Sequence, residues 1–155
     1  MDAIQFLKRE HQTAGREMEK VVHASPDERG GLWKKLAPEL GIHEQIEDAC
    51  VYEPIAQEAR SRDSVLAAWR EKHQGEVEDV KGLIEEIEEL DAKEEAWLAK
   101  VKEVHARLKA HIAEEEGTIF PRISHAWDKA RLEKAGAMLE EMQANPKRKN
   151  PGTRR

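Results

Sequence analysis

Two copies of one short unit constrain this chain more than anything else in it. Each copy pairs a histidine with a glutamate four residues on, then adds an aliphatic residue, an aromatic residue and a nearby proline. The first is His43, Glu47, Val51, Tyr52 and Pro54; the second is His111, Glu115, Ile119, Phe120 and Pro121. On an α-helix, residues four apart stand one above the other, so each unit presents an imidazole and a carboxylate to one point. Nitrogen and oxygen donors held together on rigid helices form a site for a metal cation.

The rest of the composition agrees with a helical scaffold. Of 155 residues, 37% are charged and 5% aromatic, which favours one domain of long amphipathic helices, and no strand-like alternation competes. Cys50 is the only cysteine, so an internal disulfide, a cysteine-based zinc finger and an iron–sulfur cluster within one chain are excluded. No apolar run approaches the roughly 18 residues of a membrane span, so a cytoplasmic protein with no membrane partner is expected. Net charge is −6, but Lys147, Arg148, Lys149, Arg154 and Arg155 put +5 on the last eleven residues, leaving −11 on the body. Such a body repels nucleic acid, and no nucleic-acid partner is expected. The expected organisation is a helical domain over residues 1–144 and a basic, disordered tail over 145–155.

Apolar residues recur alternately three and four apart along four segments. The first helix, from about Ala3 to His23, carries Ile4, Leu7, His11, Ala14, Met18 and Val21. The second carries Leu36, Leu40, His43, Glu47 and Cys50, with Pro38 predicting an early kink or a late start. After a polar break over residues 58–64, with Ser64 as the expected N-cap, the third carries Leu66, Trp69, His73, Glu76, Val80, Leu83, Ile87 and Leu90. The fourth carries Trp97, Val101, Val104, Leu108, His111, Glu115 and Thr118, and Pro121 is expected to end it. A shorter fifth helix from about His125 to Met142 completes an all-α, up-down-up-down four-helix bundle.

Each long helix thus brings one histidine to its buried stripe. In an antiparallel hairpin, residues equidistant from the turn lie at one height. The midpoint of His11 and His43 is Asp27, that of His43 and His73 is Glu58, and that of His73 and His111 is Ala92. All three fall in or beside the connecting turns, so the four imidazoles share one level. Burying them with Glu47 and Glu115 without partners would cost several kcal/mol, which metal coordination offsets. His23, His105 and His125 are expected at the surface, and Trp69 and Trp97 in the core.

Four imidazoles and two carboxylates are too many for one zinc and suit two octahedral ions about 3.5–4 Å apart, bridged by the carboxylates. Iron is the first choice. The Glu-x-x-His pairs of ferritin-like sites are missing, and His-x-x-x-Glu stands in their place.

Over about residues 3 to 123, this set resembles the hemerythrin-like, HHE cation-binding family. His11, His43, Glu47, His73, His111 and Glu115 match the family's ligands of a non-haem di-iron centre. The resemblance implies two iron ions in an oxo- or hydroxo-bridged centre, and a small diatomic or peroxide ligand: O2 binding in some members, and NO, peroxide or iron handling in others. One departure is Val77, where oxygen-carrying hemerythrins have a second histidine on the third helix, which leaves one iron a ligand short. Glu76, three residues after His73, and Tyr52 are the substitutes considered. Tyr52 lies nine residues after His43, about half a turn out of phase in a regular helix, and needs a bulge to reach the site. Glu44 is a candidate to back His43 from outside the ligand set, with a solvated position as the alternative.

Three readings follow. The first is a di-iron protein that binds or reacts with O2, hydrogen peroxide or NO, with peroxide decomposition as the activity to test. The second is an iron- or oxygen-dependent sensor or interaction module without turnover, whose protein partner is unknown. The third is a metal-free structural bundle.

Overall fold

The computed structural model describes residues 1–58 and 62–145; part of the polar break and the basic tail after Asn145 lie outside the described residues. The described residues are helical, without strands. The first rod is α1 (Ala3–His23), opened by a capping box in which Asp2 accepts from the Gln5 amide and the Gln5 side chain accepts from the Asp2 amide. The second is α2 (Arg29–Glu47), continued by a π turn (Asp48–Tyr52) and α3 (Glu53–Glu58). The third is α4 (Ser64–Glu88). The fourth is α5 (Glu95–Glu114), continued by a second π turn (Glu115–Ile119) and α6 (Phe120–Ala126). These rods form a four-helix bundle, and α7 (Lys129–Ala144) packs chiefly on α1 and α2.

Several boundaries differ from the sequence expectation. The second rod does not start late, because α2 begins at Arg29 and already runs through Pro38. The N-cap of α4 is Asp63, whose carboxylate accepts from the Val65 and Leu66 amides at 3.0 and 3.1 Å; Ser64 is already helical. A carboxylate suits the positive helix end better than a hydroxyl. Pro121 does not end the fourth rod. The π turn shifts the hydrogen-bond register, with the Phe120 amide donating to Glu115, so Pro121 falls in the first turn of α6, where its missing N–H is tolerated. Pro54 occupies the equivalent place in α3, after the Glu53 amide donates to Asp48. The same shift turns Thr118 outward and brings Ile119 into the core.

The fifth helix starts at Lys129 rather than His125, capped by Asp128, and its buried face is Leu132, Ala135, Gly136 and Leu139, with Met138 turned to solvent. A Cβ at Gly136 would stand 2.2 Å from the Met1 carbonyl oxygen, so only glycine lets the start of the chain lie against α7.

Two apolar clusters fill the bundle. One holds Leu7, Ile46, Val51, Leu66, Phe120 and Leu139, among others, and the second holds Met18, Trp33, Leu36, Ile87, Trp97 and Val101. Each buried aliphatic side chain contributes about 1.5–3 kcal/mol. Along every rod the change from one cluster to the other coincides with the histidine. The bundle is therefore two oily ends with one polar layer between them.

Candidate metal centre

That layer contains His11, Glu47, His73, His111 and Glu115, all buried, and His43, whose side chain is 15% exposed. The rings pair across rods, His11 with His43 at 5.5 Å between centroids and His73 with His111 at 4.8 Å. The two carboxylates stand between the pairs. Glu115 Oε1 lies 3.0 Å from His11 Nε2 and 3.3 Å from His111 Nε2, while Glu47 Oε1 lies 3.6 Å from both His43 Nε2 and His73 Nε2. Each glutamate therefore faces one histidine of each pair.

None of these approaches has hydrogen-bond geometry. His11 Nε2, His73 Nδ1 and Nε2, His111 Nε2, both Glu47 oxygens, Glu115 Oε1 and Glu44 Oε1 are buried without a hydrogen-bond partner. A buried polar group left unpaired costs about 1–3 kcal/mol, so a native core that collects so many at one point needs something further to satisfy them. A cation does so, since it takes lone pairs from nitrogen and oxygen alike. Ligand atoms of Glu44, Glu47, His73 and His111 lie within 4.8 Å of one another, as do those of His11, His43 and Glu47, with Glu47 common to both groups.

Charge is shared unevenly in the layer. Burial, together with the neighbouring Glu115 and Glu44 charges, raises Glu47 well above the usual carboxylate range. Burial acts the same way on Glu115, but His11 and His111 outweigh it and hold Glu115 well below that range. His111 is raised to about 9 because its carboxylate neighbours, Glu115 foremost, overcome burial, whereas burial lowers His43.

A family model for the hemerythrin HHE cation-binding domain matches residues 2–123. The chain belongs to that family. No curated protein and no solved structure matches it at a significant level. As an HHE domain it is a cation-binding helical bundle, and the six residues matched by sequence meet at one level of the fold.

The remaining residues are placed less as expected. Tyr52 is fully buried and reaches the centre, donating its hydroxyl to Glu115 Oε2, because the first π turn supplies the bulge its spacing demands. Glu76 does not reach the shared point; it sits outside His111, with Oε1 3.2 Å from Nδ1. Glu116, which no spacing in the sequence marks, takes the same outer position on His11, with Oε2 2.7 Å from Nδ1. The only sequence clue to it is adjacency to Glu115. Outer carboxylates of this kind fix the tautomer and orientation of a ligating imidazole. Glu44 does not back His43 but faces His73, with Oε1 2.8 Å from Nε2. Its spacing of three from Glu47 is the clue the sequence offers. His23 and His125 are exposed, but His105 is half-buried, 3.5 Å from Glu19. Trp69 stacks on His111 at 5.9 Å and packs beside Tyr52, while Trp97 meets Trp33 at the far end.

Proposed function

We propose that this HHE domain holds two iron ions, with His11, His43, His73 and His111 as terminal ligands and Glu47 and Glu115 as bridges, and that it binds or reacts with O2, hydrogen peroxide or NO. One observation carries this reading: each buried carboxylate faces histidines of both pairs, as a bridge between two ions requires. Bound iron would supply redox chemistry and open positions for a small ligand.

The chain's own part is to position ligands and manage protons. Burial and the neighbouring Glu115 and Glu44 charges favour the protonated form of Glu47 in the cation-free protein, and a cation works against that preference. Tyr52 holds a further proton against Glu115. A cavity of about 120 Å3 borders His11, His43 and His111 and has Leu36, Leu40 and Leu108 in its wall, room enough for a diatomic molecule or peroxide. Iron-loaded protein should contain two irons per chain and show near-ultraviolet oxo-to-iron absorption that changes on adding peroxide. One iron per chain, or none, would reject the di-iron reading; two irons with a spectrum indifferent to O2, peroxide and NO would reject the reactivity.

The unpaired atoms of the layer also favour a second reading, in which cation loading itself orders the bundle and a partner senses the ordered state. Helicity and protease resistance that are the same with and without iron would remove it.

A further inference from the structure

We propose that Glu44 is a direct ligand of the cation held by His73 and His111. This rests on the metal-centre reading above and adds a residue to it.

The placement of Glu44 is that of a ligand rather than of a surface acid. Its Oε1 is buried, has no hydrogen-bond partner and stands 2.8 Å from His73 Nε2, the same nitrogen that faces Glu47. That nitrogen is also unpaired, on a side chain 1% exposed. Two unpaired atoms this close, one a carboxylate oxygen and the other an imidazole nitrogen, are arranged to share a third party. The group of ligand atoms that includes Glu44 contains Glu47, His73 and His111, with no member from α1.

Comparing the two copies of the repeat strengthens the assignment. One residue after the histidine stands Glu44 in the first copy and Ile112 in the second; nine after it stand Tyr52 and Phe120. The aromatic residues occupy matching places, Tyr52 packing edge-on against His73 at 4.8 Å and Phe120 stacking on His11 at 5.7 Å. Both polar members thus lie beside His73, whereas Phe120, the counterpart of Tyr52, lies on His11. A carboxylate kept in only one copy marks the His73 side as the one with the extra oxygen ligand. Since Tyr52 is engaged with Glu115, Glu44 is the group free to supply it. The two cation positions are then unequal: two histidines at one, two histidines and a terminal carboxylate at the other.

The test is titration of the metal-free full chain with cobalt(II), counting ions per chain and measuring each affinity by chelator competition. Wild type should take up two. Glu44→Ala and Glu44→Gln should retain one ion at wild-type affinity and weaken the second at least tenfold, with unchanged helicity by circular dichroism. Glu44→Gln keeps an acceptor beside His73 but not the charge, so it separates ligation from mere orientation of the ring. Adding Glu44→Gln to His73→Ala should weaken that ion no further than His73→Ala alone, as expected for one shared cation. Two ions bound by Glu44→Gln at wild-type affinity would overturn the assignment while leaving the centre intact. Wild type binding no cobalt would overturn the centre itself, and Glu44 with it.

Discussion

Tyr52 donates its hydroxyl to Glu115 across 63 residues of sequence, joining the first copy of the repeat to the second inside the bundle. The bond is fully enclosed, and its acceptor is a carboxylate that also faces two imidazoles. Tyr52→Phe leaves that carboxylate oxygen without its donor, and the cation-free protein should lose about 1–3 kcal/mol in urea unfolding. In the iron-loaded protein the same variant tests phenolate ligation, because a broad visible band present in wild type and missing in the variant would assign Tyr52 to the metal.

Cation affinity should rise with pH. His111 is raised to about 9, so in the cation-free protein it keeps its proton below that value, and an incoming ion must displace it. Competition by the His111 proton alone contributes about a tenfold gain in affinity per pH unit up to roughly pH 9, and His11 and Glu47, both raised, steepen the rise where they also release protons. Stability of the cation-free fold runs the opposite way. A raised histidine contributes fully below its unfolded value of about 6.5, and the contribution is lost as pH climbs through 9. Cobalt(II) competition titrations and thermal melts across this window should therefore slope in opposite directions.

Glu116 holds the outer nitrogen of His11, and Glu116→Gln removes the charge that steadies the ring. The cation served by His11 should bind about 10–100-fold more weakly, while the ion on the His73 side is unchanged. Equal weakening of both ions in chelator competition would contradict the pairing of His11 with His43.

Gly136→Ala should destabilise the protein by about 1–3 kcal/mol, since the added methyl meets backbone that cannot rotate away. The start of α1 has to shift, and hydrogen exchange in its first turn should accelerate more than elsewhere.

Much of this architecture is legible in the amino-acid sequence. Histidine levels follow from chain arithmetic because antiparallel rods joined by short turns admit few registers, and the apolar spacing locates all four rods. What spacing does not convey is the pair of π turns. Such a turn adds one residue without a composition of its own, so counting at 3.6 residues per turn assigns Thr118 instead of Ile119 to the core and leaves Tyr52 out of reach. Pro121 reads wrongly for the same reason: in an uninterrupted helix it is a stop, whereas after a register shift it opens a first turn. The roles of Glu44 and Glu116 are hidden because each adjoins a stronger ligand candidate, and only the packed rods show which imidazole a neighbouring carboxylate faces.

The π turns also set where each rod can carry its proline. Removing one residue from 49–51 would let the second rod run as an uninterrupted α-helix, with the tyrosine only eight residues after His43 and so about 80° around the axis, close to the direction that the π turn gives it. The residues beyond the cut would therefore keep their phase. Pro54 would instead lie in a helix interior, where its ring meets the carbonyl four residues before it at a cost of about 3 kcal/mol. The extra residue thus serves the proline as much as the phenol, and its loss would fall on the backbone before it reached the centre.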